Sequence, residues 1–198
     1  KDIVSISSAA RMKGKLKRRW PLNEAQICVK KNQKSKLESL SNLLKSQLNV
    51  EKFNIVETQK ESGLDQLLEL KELGLPVKST LELERKKIGP KAKQHMGKLV
   101  SMFSETNPDE IISSIQKDGK YDFKIDSEII SLDKEDFIVD FDSKDNFAVA
   151  KRDAFVVFIS TSRNKEMMAK GLVKDIARRL QTLRKERGYN PTDVLEVA

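Results

Sequence analysis

The first sixty residues switch between helical and strand-like spacing of their apolar side chains. Apolar positions recur at helical intervals over residues 1–19, which predicts an N-terminal helix that runs to about Arg19 and ends before a Trp-Pro step. A short apolar run at 25–29 predicts a strand, leucines at helical spacing over 37–48 predict a helix, and residues 51–57 predict another strand. Together these segments indicate a small strand–helix–strand unit.

The middle of the chain has a less regular pattern. Residues 58–80 fit either a short helix or an irregular excursion, whereas residues 81–83 alternate as a half-buried strand does. A helix is expected to open with Pro90 in its first turn. Another is expected after Asn107, which is a suitable N-cap, with Gly119 just past its end.

Residues 120–160 change to alternating or continuous apolar runs separated by turn residues. We interpret them as an antiparallel meander of four or five strands, followed by a helix over 163–187 and then by a turn and a last strand. The predicted fold class is therefore α+β, with a short N-terminal helix, a small strand–helix–strand unit, and an antiparallel sheet packed by helices, including a long basic C-terminal helix.

The charge of the chain narrows the class of partner. The 198 residues contain 38 Lys and Arg against 30 Asp and Glu, which gives a net charge of +8. Such a balance favours a polyanion as the partner, first of all RNA, DNA or an anionic membrane surface. No apolar run reaches the roughly 20 residues of a spanning helix, and no signal peptide is evident. We expect no membrane contact.

The single cysteine, Cys28, excludes an intrachain disulfide and a thiolate metal cluster, and it fits a reducing, cytoplasmic setting. The single histidine, His95, excludes a site that needs several histidines, and no motif supports a single-histidine triad. No metal ligand set and no catalytic residue are expected. The chain begins at Lys1 without an initiator Met, so we expect it to be a piece of a longer protein.

The predicted C-terminal helix has an apolar stripe and a basic stripe. One side contains Leu172, Ile176, Leu180 and Leu183, and the opposite side contains Lys170, Lys174, Arg178, Gln181 and Lys185. We expect the apolar stripe to pack on the sheet and the basic stripe to face outward. Any solvated amphipathic helix has polar residues opposite its apolar stripe. Here the polar stripe contains only positive charges, together with a glutamine that can hydrogen-bond a base or ribose, and both features favour RNA contact.

Candidate RNA-binding residues come from this helix and from the basic N-terminal stretch: Lys13, Lys17, Arg18, Arg19, Trp20, Lys174, Arg178, Gln181, Arg184 and Lys185. The lysines and arginines would neutralise phosphates. Trp20 would either stack on a base or pack beneath the turn that follows the basic stretch.

Four segments, in order, resemble isoleucyl-tRNA synthetases: "SSAARMKGKLKRRWPLNEAQICV", "LLKSQLNVEKFNIVE", "KKIGPKAKQHMGKLV" and "LVKDIARRLQTLRKERGYNPTDVLEV". The first is similar to the end of the anticodon-binding helical bundle of that family, and the last to its C-terminal Arg-Arg-Ile-Gln-x-Leu-Arg-Lys helix. Gln47 stands where the family usually has an acid, and no acidic partner is evident in the strand before the last helix. Because the chain cannot form the four-cysteine zinc module of bacterial relatives, the resemblance is to the archaeal or eukaryotic type.

The resemblance implies a division into the end of the anticodon-binding bundle (1–20), a small α/β junction unit (21–80) and a C-terminal α+β domain (81–198). It also implies a non-catalytic, tRNA-binding role at the anticodon end, because the His-Ile-Gly-His-like and Lys-Met-Ser-Lys-Ser-like motifs of the family are absent. The partners would be isoleucine tRNA and the remainder of the synthetase. ATP and magnesium would be bound by the parent enzyme and not by this piece. A protein-docking module of the synthetase and a generic basic RNA-binding domain remain alternatives.

Overall fold

The computed structural model describes residues 2–152, 155–190 and 192–194 and has the predicted α+β fold. The chain forms two compact units. Unit 1 combines residues 1–57 with 146–198, and unit 2 consists of residues 58–145.

Helices and strands follow one another in a simple order within each unit. Unit 1 begins with α1 (Asp2–Lys13), β1 (Leu22–Lys30), α2 (Lys34–Glu38), α3 (Ser41–Leu48) and β2 (Val50–Thr58). Unit 2 contains α4 (Gly63–Glu72), β3 (Val77–Leu83), α5 (Arg85–Ala92), α6 (Met96–Glu105), α7 (Pro108–Asp118), β4 (Lys120–Ile125), β5 (Glu128–Asp133) and β6 (Phe137–Ser143). Unit 1 then resumes with β7 (Phe147–Arg152), β8 (Phe155–Ser160) and α8 (Lys165–Glu186).

Unit 1 is built on a four-stranded sheet in the order β2-β1-β8-β7. Strand β8 pairs antiparallel with β1, where Ala25 lies opposite Ile159, and also antiparallel with β7. Helix α1 packs on β7 and β8 and buries Ile6 and Ala10 in the same core as Val157 and Ile159. The sheet therefore joins the beginning and the end of the chain.

Unit 2 contains two antiparallel strand pairs, β3 with β6 and β4 with β5. Helix α4, at the position that the sequence left ambiguous, buries Leu67 and Leu70. Helix α7 begins as predicted, with the Asn107 side chain accepting a hydrogen bond from the Asp109 N–H at 3.0 Å, and it ends at Gly119 with φ of 75°. The capping residues thus predicted α7 correctly, whereas the sequence had left the region of α4 open.

Three of the predicted helix boundaries are wrong. The N-terminal helix ends at Lys13 instead of Arg19, because Lys15 adopts a φ of 53° and residues 14–21 form an irregular turn. The helix predicted over 37–48 is divided into α2 and α3. Helix α5 begins five residues before Pro90, and its buried Ile88 and Ala92 hold the proline-containing turn against the core of unit 2.

The strands of residues 120–160 do not form one meander. Strand β6 pairs with β3, and strand β8 pairs with β1 as well as with β7. Strands that follow one another in the sequence therefore belong to different sheets. The compact units also cut across the three segments implied by the resemblance. The predicted last strand falls mainly on residues 195–198, which lie outside the described residues.

Candidate nucleic-acid-binding groove

A buried arginine shapes the turn that follows α1. Arg11 is only 4% exposed, and its guanidinium donates hydrogen bonds to the carbonyls of Lys17, Trp20, Leu48 and Asn49 at 2.7–3.2 Å. Burial, with Arg163 and Arg18 nearby, lowers its pKa well below its ordinary value, to about 10. Arg11 therefore ties the turn 14–21 to the end of α3, which places its neighbouring basic residues at a fixed position.

Trp20 fixes helix α8 to this turn. A Cβ at Gly171 would lie 2.4 Å from Cδ2 of Trp20, so only glycine permits this close approach of the helix. Lys17 Nζ and Arg163 Cζ lie 5.1 Å and 5.2 Å from the centre of the indole, within the range of cation–π contact. The sequence left open whether Trp20 stacks on a base or packs beneath the turn. In the structure the half-buried indole packs against the turn and α8.

Asp175 completes the contact between the turn and α8. Its Oδ2 accepts hydrogen bonds from Lys17 Nζ at 2.7 Å and from Trp20 Nε1 at 3.0 Å. These two donors, the lysine first, lower the pKa of the Asp175 carboxyl group below its ordinary value. The carboxylate is therefore ionised near neutral pH and holds the turn against the helix.

An open groove lies between the turn 14–21, α3 and the second half of α8, all within unit 1. Its volume is about 1170 Å³. We call it the basic groove, and the residues that line it are Lys17, Arg18, Arg19, Gln47, Asp175, Arg178, Arg179, Thr182, Leu183 and Glu186.

Positively charged residues outnumber negatively charged ones in the basic groove. Five of its lining residues are basic and two are acidic. Lys17 pairs with Asp175, whereas within the described ranges no carboxylate forms an ion pair with the groove's four arginines, which are Arg18, Arg19, Arg178 and Arg179. A planar guanidinium can bind a phosphate through two hydrogen bonds. The groove can thus receive a phosphate-rich ligand.

The structure brings together four of the candidate residues predicted from the sequence, namely Lys17, Arg18, Arg19 and Arg178. Trp20 lies next to them as a packing residue. Five others do not line the groove: Lys13, Lys174, Gln181, Arg184 and Lys185. Lys174 donates to the side chain of Asn49 at 3.2 Å, and Arg184 donates to the carbonyls of Asn190 and Asp193 at 2.8 Å, where it holds the segment after α8.

The predicted orientation of the C-terminal helix is wrong. Met167 and Gly171 are the buried residues of α8, whereas Leu172, Ile176 and Leu183 are about half exposed. The apolar stripe therefore does not pack on the sheet. The reason is the contact with Trp20. Only the face of α8 that contains Gly171 can approach the indole so closely, and with this face inward the apolar stripe points outward.

Sequence reasoning missed six of the ten residues that line the groove. Arg179, Gln47 and Thr182 are among them, and none of the three was a candidate. The signal that could have revealed them is Gly171, because a glycine inside a helix costs stability and often marks a close packing contact. When the face of α8 that contains Gly171 points inward, Arg179 and Thr182 lie on the side of the helix that is near the turn 14–21.

Within the part of the chain that the structure describes, no group of three His, Cys, Asp or Glu side chains is placed to hold a metal ion. None of the described helices combines the length and apolar character that a bilayer crossing requires.

Comparison with known proteins shows similarity along the whole chain. Isoleucine–tRNA ligase of Bacteroides fragilis is 25% identical over 197 residues, which cover 99% of the chain and 16% of that enzyme. The enzyme of Sulfolobus acidocaldarius is 26% identical over 98% of the chain and 17% of its own length. That of Saccharolobus solfataricus is 28% identical over 100% of the chain and 19% of its own length. No protein-family model matches the chain.

These relatives confirm the resemblance found in the sequence, because the homologues of the chain are isoleucine–tRNA ligases. The chain spans 16–19% of the length of these curated relatives, which fits a C-terminal region of such an enzyme. Bacterial and archaeal enzymes both occur among them, so the similarity does not restrict the chain to the archaeal or eukaryotic type.

Proposed function

We propose that this chain is a non-catalytic tRNA-binding part of an isoleucine–tRNA ligase and that it holds tRNA in the basic groove. The observation that carries the proposal is the set of four groove arginines without ion pairs among the described residues. Unpaired arginines gathered along one concave surface are costly for the folded protein unless a polyanion neutralises them.

The charge distribution between the two units supports RNA as the ligand. Unit 1 contains 24 Lys and Arg against 11 Asp and Glu, a net charge of +13. Unit 2 contains 14 against 19, a net charge of −5. The positive charge is therefore concentrated in the unit that contains the groove, which gives RNA binding a strong dependence on salt.

Two uncharged polar residues of the groove, Gln47 and Thr182, give it a means of recognising more than phosphate. The Gln47 amide can donate and accept hydrogen bonds at a base edge or ribose. The Thr182 hydroxyl donates to the Arg178 carbonyl at 3.1 Å and keeps a lone pair available. We propose that the arginines fix the backbone and that Gln47 contacts an unstacked base at the anticodon end.

Attachment of isoleucine to tRNA belongs, in this proposal, to the remainder of a longer synthetase chain in the cytoplasm. ATP and magnesium would act there. The isoleucine–tRNA ligases that match the chain support this assignment. The contribution of the chain described here is to bind and position the tRNA.

The experiment is a fluorescence-anisotropy titration of the chain with isoleucine tRNA over about 50–300 mM salt. The test variant combines Arg18→Gln with Arg178→Gln, and the matched control combines Lys31→Gln with Lys36→Gln, two exposed lysines of unit 1 that do not line the groove. Both variants remove two positive charges. We expect the groove variant to bind at least about tenfold more weakly and to lower the slope of log K against log salt by about 1.4–1.8, whereas the control binds nearly as the wild type.

An anticodon-swapped tRNA separates positioning from recognition. Preference for the native anticodon, lost in a Gln47→Ala variant, is the expected result. Equal binding to both tRNAs would reduce the function to that of a generic basic RNA-binding domain. Failure of the folded wild type to bind either tRNA would overturn the proposal.

A further inference from the structure

Helix α8 presents a second surface on the side opposite its contact with Trp20. Ala169, Val173, Ile176, Leu180 and Leu183 alternate at intervals of four and three residues, which is the spacing of a coiled-coil seam over about two heptads. We call these five residues the α8 seam. At 100° per residue they lie roughly opposite Gly171, which faces the indole.

Four of the five residues of the α8 seam are exposed, and Leu180 is half-buried. Val173 is 64% exposed and Ile176 is 49% exposed. Single exposed apolar residues are ordinary on a protein surface, but a row at heptad spacing on one helix face indicates a binding site for another helix. The contacts of α8 with Asn49 and Trp20 lie on other sides of the helix. At the edges of the seam, Lys170 pairs with Glu51 and Glu166, and Arg184 donates to the carbonyls of Asn190 and Asp193.

The charges that flank the seam indicate which helix it fits. The positions that flank a coiled-coil seam contain four cations and one acid, which are Lys165, Lys170, Arg179, Arg184 and Glu186. These flanking positions decide partner choice, since opposite charges pair across the two helices. Acidic residues on a partner helix would pair with them.

The same charges disfavour a second copy of the chain. A parallel pair of α8 helices would place Lys165 against the Lys170 of the other copy, and Arg179 against the other Arg184. An antiparallel pair would place Lys170 opposite Arg184, with only Lys165 and Glu186 attracting each other. Both arrangements would also bring together two units of net charge +13.

We propose that the α8 seam is a docking site for an amphipathic helix with acidic flanking residues. The partner helix covers the seam with apolar side chains and pairs its acids with the flanking cations of α8. Leu183 of the seam and the flanking Arg179 also line the basic groove, so the two surfaces adjoin on the second half of α8. Ile176 does not line the groove, and a variant at this position therefore tests the seam alone.

The test uses a fluorescent peptide of about three heptads with Leu at the seam positions and Glu at the flanking positions. We expect the whole chain to bind it with a Kd of the order of 10 μM, and Ile176→Glu to weaken binding at least about tenfold. The matched control is Leu43→Glu, which changes a 56% exposed leucine of α3 in the same unit. Both positions are exposed, so both variants are expected to fold as the wild type does.

Two altered peptides distinguish docking from simple attraction of charge. A peptide with Ser at the seam positions and the same glutamates must not bind, and neither must one with Lys at the flanking positions. Equal binding of either peptide, no binding of the original peptide, or a dimer of the chain that Ile176→Glu dissociates would each overturn the proposal. Arg178→Gln should leave peptide binding unchanged, which separates this result from that of the tRNA experiment.

Discussion

Arg11 shows how a residue that the sequence presents as one cation among many can have a structural role. Its guanidinium reaches four carbonyls from two parts of unit 1, and a lysine ammonium has only three donors on a flexible stem. We expect Arg11→Lys to lower the free energy of unfolding by at least about 3 kcal/mol, because buried carbonyls lose their donors. Urea denaturation followed by the fluorescence of Trp20, the single tryptophan, measures the change.

Arg19→Lys is the control for this change, because Arg19 lies in the same turn with an exposed side chain. It should alter stability little. Similar losses in the two variants would show that the turn depends on its total charge and not on the hydrogen bonds of Arg11.

Asp175 gives the contact between the turn and α8 a dependence on pH. Its pKa is lowered in the folded state by Lys17 and Trp20, so the stabilising contribution is present above the unfolded pKa of about 3.9 and is lost as the pH falls through the folded value. Asp175→Asn removes this contribution. We therefore expect the stability difference between the wild type and the variant to be constant near pH 6 and to shrink toward pH 3 in urea titrations. A difference that stays constant over this range would contradict the assigned cause.

At the scale of elements, the orientation of α8 depends on the absence of a side chain at position 171. Gly171→Ala gains about 1 kcal/mol in helix propensity, but the added Cβ would lie 2.4 Å from the indole. We expect a net loss of about 1–3 kcal/mol, since overpacking at a rigid contact exceeds the propensity gain. Denaturation followed by Trp20 fluorescence gives the magnitude.

The corresponding change in α6, Gly97→Ala, tests the propensity effect alone, because no atom lies within 4 Å of the Cβ position there. It should be neutral or stabilise by up to about 1 kcal/mol. If both alanines stabilise, the contact of Trp20 with α8 is looser than the structure indicates.

The elements also show what the sequence could predict. Strands β1 and β2, and helix α7 with its caps, follow from local spacing and capping residues, and those predictions are confirmed. The single helix predicted between the two strands is instead divided into α2 and α3. Pairing of β6 with β3 and of β8 with β1 depends on contacts between distant residues, which spacing does not encode. The groove could be predicted only in part, since its cations were evident but the inward face of α8 was not. Periodicity identifies an apolar stripe without showing what covers it.

At the scale of the whole molecule, the charge is divided unequally between the two units. Salt screens the repulsion between like charges and should therefore stabilise unit 1, which has a net charge of +13. The effect on unit 2 should be smaller, because its net charge is −5. We expect hydrogen–deuterium exchange to slow in β1 and β8 as salt rises from about 50 to about 300 mM, and to change less in β3 and β6. Equal changes in both units would show that net charge does not control their stability.

The pairing of β1 with β8 has a consequence for synthesis on the ribosome. Strand β1 ends at Lys30 and its partner begins at Phe155, so the ribosome must add more than a hundred residues before the two can pair. At 5–20 residues per second this takes about 6–25 s. Unit 2 is complete in sequence before then and can fold first, while β1 has only β2 beside it and its other edge remains without β8. During this interval chaperones can bind the nascent chain and the chain can aggregate. The interval ends when β8 leaves the exit tunnel.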